Sequence, residues 1–173
     1  QYFLLMSEVK GRMLYELLKE DIHGTIKLYA SALKMLHELP IEDYPIQRDL
    51  SEWIQTAQKN LPNVDIDTLE DITKARGLEA TFERLVALRP LERDLVVCHG
   101  DFCMPNVLVG DQIGFIDLGR SGVDDRYQDI ALALRSLKTN IEMIHEPYLE
   151  SYTMLFLETY GIDKIDERKR EFR

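Results

Sequence analysis

Residues 99–119 read HGDFCMPNVLVGDQIGFIDLG and hold the side chains best placed to do chemistry. Asp101 stands five positions before Asn106, and a second carboxylate, Asp117, closes the apolar run GFI. A carboxylate held beside an alcohol orients that oxygen and accepts its proton late in the reaction. An amide oxygen and a carboxylate oxygen are hard donors, of the kind Mg²⁺ takes when phosphates and water complete its shell. One base and two metal donors are the parts that direct phosphoryl transfer to a hydroxyl requires. Each residue also has a plainer reading: Asp101 as a turn cap, Asn106 as an Asx-turn, Asp117 as a strand-end acid. The register of all three favours chemistry over turn-making.

Such residues need a frame. Residues 95–98 form a short buried strand leading into the loop. Residues 107–109 and 113–116 are apolar runs around Gly110-Asp111-Gln112, a hairpin signal. A strand is expected over 2–6, with 7–11 as its connection. Residues 25–37 place Tyr29, Ala32, Leu33 and Leu36 on one helical face. Further helices are expected over 50–61, over 78–88 (with Phe82, Leu85 and Val86 together), over 126–137 and 148–160, and in the charged tail from 164.

The chain has 173 residues, 45% hydrophobic and 30% charged, which suffices for one domain with a core. No run approaches the ~20 apolar residues of a membrane helix, so no membrane is expected among its partners. A net charge of −10 argues against nucleic acid, whose phosphates demand Lys and Arg. It suits a cationic acceptor, since a negative cleft gathers cations, although surplus carboxylates also serve solubility. Two cysteines make no disulfide framework, and a reducing cytoplasm is the expected compartment. Cys98 reads as core. Cys103, inside the loop, has no base placed to activate it.

Asp101-x-x-x-x-Asn106 followed by Asp117-Leu118-Gly119 resembles the catalytic loop and metal-binding triplet of protein kinases, with Gly100 where those enzymes usually carry Arg. LVVCHGDFCMPNVLV and GFIDLGRSGVDDRYQDIALALRS together are similar, over residues 95–136, to the aminoglycoside 3'-phosphotransferases, the kanamycin and neomycin kinases. YFLLMSEVKG resembles the segment joining their two lobes. HGDxxxxN alone marks a wider superfamily that includes choline-type kinases; IDLGRSG and YQDIA narrow it.

The resemblance implies an α+β, mostly helical fold: the C-terminal lobe of a protein-kinase-like enzyme, with a small β-hairpin carrying the catalytic and metal residues. Residues 1–173 would be the catalytic lobe and 1–10 its interlobe strand and hinge. The N-terminal nucleotide-binding lobe, with its glycine-rich loop and strand lysine, is absent from this chain. The chain opens on Gln1 and stops at Arg173 in a basic stretch, short of the acidic, aromatic C-terminus the family uses.

ATP is the implied co-substrate and Mg²⁺ the implied cofactor, with Asp101 as base and Asn106 and Asp117 as metal ligands. Met6, Ser7 and Val9 would meet the adenine edge, above an apolar floor of Leu108 and Ile116. Arg120 and Arg135 match positions near the acceptor. Asp65, Asp67, Glu70 and Asp71 make an acidic stretch where the family binds ammonium groups, with Glu70 and Asp71 aligning best; a solvated face is the plainer reading. His99 would brace the loop rather than act as a base, and Asp129 would bond the loop from a neighbouring helix. The implied activity is phosphorylation of an aminoglycoside, with the fragment inactive alone. A superfamily kinase acting on a choline- or homoserine-like acceptor is the alternative. A non-catalytic binding module is a third reading, against which the intact Asp101, Asn106 and Asp117 set speaks.

Overall fold

The computed structural model describes residues 7–42, 44–69 and 71–172. The strand expected over 2–6 lies outside these residues, as do Met6 and Glu70.

Two small antiparallel sheets carry the loop of interest. β1 (Arg12–Met13), β3 (Val107–Val109) and β4 (Ile113–Phe115) form one, in the order β1-β3-β4. β2 (Leu95–Cys98) pairs with β5 (Gly122–Asp125) in the other. In the hairpin, Val107 faces Phe115 and Val109 faces Ile113, so Gly110-Asp111-Gln112 is the turn. The same register puts Asn106 and Ile116 at the hairpin's open end, where the Ile116 N–H donates to the Asn106 carbonyl at 3.1 Å.

The core lies among three helices, α1 (Ile22–His37), α5 (Tyr127–Met143) and α6 (Glu150–Tyr160). Tyr29, Ala32, Leu33 and Leu36 of α1 are buried, as their period predicts. The helix begins at Ile22 rather than at residue 25 because Asp21 caps it: its carboxylate accepts the Gly24 N–H at 2.9 Å. α5 continues past residue 137, where Lys138, Thr139 and Asn140 interrupt the apolar period, because Ile141 is again fully buried.

α2 (Leu50–Asn60), α3 (Asp71–Arg76), α4 (Leu78–Leu88) and α7 (Glu167–Phe172) surround this core. The face expected on α4 from Phe82, Leu85 and Val86 does not reach the core. No residue of that helix is buried, and Val86 is 43% exposed. α4 packs instead on its neighbours α3 and α7. No helix among the described residues is long and apolar enough to cross a membrane.

The charged tail fastens these parts together. Arg168 donates to the carbonyls of Ala87 at 2.9 Å and Leu88 at 3.3 Å, groups that the end of α4 leaves without intrahelical partners. The neighbouring Lys169 ammonium reaches the Asp125 carboxylate at 2.8 Å, with side-chain exposures of 17% and 1%. Asp125 also accepts the Asp94 and Tyr127 N–H groups. Removing one partner of a buried ion pair leaves the other charge uncompensated, so Lys169→Ala should cost about 3 kcal/mol of stability. Denaturant unfolding measures this; an unchanged midpoint would mean that the two N–H groups suffice for Asp125.

Candidate active site

The loop after β2 is held by its backbone at successive points. The Asp129 carboxylate, fully buried on the first turn of α5, accepts the N–H of His99 at 2.6 Å and of Gly100 at 2.9 Å. The Tyr29 hydroxyl of α1 donates to the Phe102 carbonyl at 3.0 Å, and the two rings stack 4.9 Å apart. The Met104 N–H donates to Ser136 Oγ on α5 at 3.0 Å. His99, fully buried, donates from Nε2 to the Ile116 carbonyl at 3.0 Å and accepts the Asp101 N–H at Nδ1 at 3.3 Å. These partners assign the neutral tautomer and occupy both ring nitrogens. The imidazole thus ties the loop to the end of the hairpin.

Those ties leave Asn106 against the Asp101 backbone. Asn106 Nδ2 donates to the Asp101 carbonyl at 3.0 Å, which fixes the amide and leaves its oxygen as a donor for a cation. Asp117 follows Ile116 in the left-handed region, at φ 60° and ψ 46°, a conformation that Asp tolerates better than most residues. The Asp101 and Asp117 side chains make no hydrogen bond or ion pair among the described residues, so their oxygens are available to ligands. Both carboxylates act on Cys103 between them. Burial first, and then the Asp101 charge, pushes the thiol's pKa up, with Asp117 adding to the effect. A thiol held protonated in this way is a poor nucleophile. Two oxygen donors at one end of a hairpin, on a short loop whose Asp carries no proton-sharing partner, fit a hard divalent cation.

Gly100 makes the close packing possible. Its φ is +83°, and a Cβ there would overlap the Arg120 carbonyl oxygen and lie 2.7 Å from its carbon. That carbonyl in turn accepts from the Arg48 guanidinium. The turn after Asp117 therefore rests directly on the loop that carries Asp101.

Asp101 opens onto a cavity of about 860 Å³. Glu16 and Lys19, from the short turn after β1, form one wall; Arg135, Thr139 and Asn140 of α5 form another; Cys103 and Pro105 stand beside Asp101. Met143 and Ile144 also line the cavity.

A sequence model of the phosphotransferase enzyme family matches residues 1–168. The chain belongs to this family. It is 38% identical to an aminoglycoside 3'-phosphotransferase of Niallia circulans, over 96% of its own length and 63% of that protein's. The chain thus spans less than two thirds of the length of this curated relative. The crystal structure of a type VIII aminoglycoside-3'-phosphotransferase superposes with a TM-score of 0.77 at 30% identity, covering 95% of this chain and 64% of that one. The aminoglycoside phosphotransferase APH(3'')-Id of Streptomyces rimosus, solved with ADP and streptomycin, superposes at 0.71 with 27% identity, covering 94% and 65%. The fold is accordingly the α+β, mostly helical C-terminal lobe expected of a phosphotransferase, with a small hairpin leading out of the loop.

The remaining predicted residues of this phosphotransferase lobe fall in different places. Val9 lies against the hairpin, where a Cβ on Gly114 would overlap its side chain; Ser7 is exposed. Leu108 is 7% exposed, and Ile116 is half-buried with both backbone groups engaged by Asn106 and His99. Arg135 reaches the cavity wall, whereas Arg120 is an exposed residue outside it. Asp71 is the exposed first residue of α3 and does not line the cavity. The cavity's own charges are balanced, with Glu16 and Asp101 against Lys19 and Arg135, so the acidic surplus of the chain lies elsewhere.

Sequence reasoning missed Tyr29 and Ser136 as loop anchors, and Glu16, Thr139 and Asn140 as cavity walls. Ser136 had a usable signal: it follows Asp129 by seven positions, two helical turns, and so shares its face.

Proposed function

We propose that this chain is the C-terminal catalytic lobe of a two-lobed, ATP- and Mg²⁺-dependent kinase that phosphorylates a hydroxyl of an aminoglycoside, a cytoplasmic resistance activity. Residues 1–10 would act as its interlobe strand and hinge, and the partner lobe would complete the nucleotide site. The observation that carries the reading is the cavity opening on Asp101, next to the hairpin end that presents Asn106 and Asp117.

In this reading Asp101 orients the acceptor hydroxyl in line with the γ-phosphate and takes its proton, with no covalent enzyme intermediate. Asn106 and Asp117 hold Mg²⁺, which when bound offsets charge on the nucleotide phosphates. His99 and Asp129 brace the loop. The hinge residues Met6, Ser7 and Val9 meet the adenine by their backbone, over Leu108 and Ile116. Arg120 and Arg135 moderate repulsion among the active-site carboxylates. Glu16 supplies a carboxylate to an acceptor ammonium group within the cavity, and Glu70 and Asp71 serve other amines of the acceptor.

Cavity length favours aminoglycosides over a choline-sized acceptor. Its α5 wall runs from Leu132 to Ile144, just beyond the helix end, which corresponds to about 18 Å at 1.5 Å per residue. That span accommodates several sugar rings. The test is turnover of the full-length protein with ATP, Mg²⁺ and kanamycin, with the product identified by mass. Phosphorylated kanamycin is the expected result, with none formed by residues 1–173 alone. Phosphorylation of choline or homoserine, with kanamycin untouched, would overturn the assignment.

A further inference from the structure

The Asp129 carboxylate that holds the catalytic loop is itself held from behind. His37, the last residue of α1, brings Nε2 to 3.2 Å from Asp129 Oδ2. His37 Nδ1 lies 2.7 Å from the hydroxyl of Tyr160, the last residue of α6. That hydroxyl also accepts from Arg126 Nη1 at 3.2 Å. Arg126 is paired with Asp94, Nε to Oδ2 at 2.6 Å and Nη2 to Oδ1 at 3.0 Å. Asp129 is fully buried, while His37 and Tyr160 are 8% and 5% exposed.

One proton arrangement gives every atom of this chain a single role. Arg126 donates to the Tyr160 oxygen; the Tyr160 hydroxyl donates to His37 Nδ1; His37 Nε2–H donates to Asp129. Burial, ahead of the opposing pull of Arg126, pushes the Tyr160 pKa up to about 12, so the hydroxyl keeps the proton it donates. Each dipole then points from a guanidinium towards a buried carboxylate, and each bond polarises the next. A carboxylate removed from water needs such donors, since an unmet acceptor in the interior is costly. With His37 in place, Asp129 receives three donors: one from α1 and the two backbone N–H groups that precede Asp101.

We infer that His37 and Tyr160 are positioning residues, which orient the Asp129 carboxylate and through it fix the His99–Gly100 backbone that aims Asp101 into the cavity. The link to Asp101's chemistry rests on the proposed kinase function; the link to the loop backbone does not. The plainer account is a satisfied polar cluster that only joins α1 to α6. It predicts a change in stability and nothing at the loop.

The experiment uses the full-length protein and the variants Tyr160→Phe, His37→Gln and His37→Leu, with two readouts: amide NMR of His99 and Gly100, and kcat separated from KM. Tyr160→Phe removes one oxygen and keeps the packing, so it should fold. It should shift the Gly100 amide proton upfield and lower kcat about tenfold, with the KM for ATP within about twofold, as expected for a misaimed base. His37→Gln, which can still donate to Asp129, should retain more kcat than His37→Leu. Unchanged amide shifts in Tyr160→Phe, or equal kcat in the two His37 variants, would overturn the inference. A wild-type protein that shows the amide response but no phosphotransfer would overturn the kinase assignment and leave the backbone relay supported.

Discussion

Asp101→Asn should lower kcat by about 10²–10⁴-fold, the range in which a positioned general base contributes. Asparagine keeps the size and the loop backbone, and it cannot take a proton from the acceptor. Stability should hardly change, because the Asp101 carboxylate makes no hydrogen bond or ion pair among the described residues; its backbone groups bond His99 and Asn106. Nucleotide KM should also persist, since the proposed metal donors Asn106 and Asp117 are untouched. Steady-state kinetics on the full-length protein, with a melting curve alongside, separates these effects. A variant with near-native kcat would remove Asp101 from the chemistry, whatever the acceptor.

Gly100→Ala attacks the same loop through its backbone. An L-residue at φ +83° costs about 1–2 kcal/mol before any contact is considered. Here the added Cβ also overlaps the Arg120 carbonyl, which is backbone and is itself held by Arg48. The turn after Asp117 must move, or the loop must, and either motion shifts Asp101 relative to Asp117. Total stability should fall by more than about 2 kcal/mol, and kcat by more than about 100-fold. Gly77→Ala is the control: Gly77 has φ +87° and nothing within 4 Å of its would-be Cβ, so it isolates the backbone cost. Equal losses in the two variants would mean that the Arg120 contact is easily relieved.

Local pattern carried much of this architecture. The strand at 95–98, the hairpin and its turn, and the α4 helix follow from short apolar runs and breakers, and they appear at the predicted positions. Boundaries failed where a side chain's job lay elsewhere in the molecule. The pattern ends α5 at 137 because Thr139 and Asn140 are polar; they are polar because they face the cavity. α4 has an apolar face in sequence yet none in burial, because its neighbours are small, peripheral helices.

The site divides in the same way. Asp101, Asn106 and Asp117 stand close together in the chain, so their spacing announces them. Their supports do not: Tyr29 meets Phe102 across 73 positions, and His37 meets Asp129 across 92. Tyr29 reads as ordinary core and His37 as the tail of a helix, and only the placing of α1 beside the loop and the first turn of α5 gives them partners. The acidic stretch around Asp71 shows how charge density draws the eye in a sequence. Glu16, a single carboxylate just after β1, draws no attention, yet it lines the cavity together with Asp101.

The loop is anchored through main-chain atoms at 99, 100, 102 and 104, by side chains borrowed from two helices. Positions 103 and 105, whose side chains border the cavity, are left out of that anchoring through their side groups. Natural variation can therefore remodel the lining with new shapes while the Asp101 carboxylate stays where it is. Such a division of labour lets the wall of the cavity change while the loop keeps its shape.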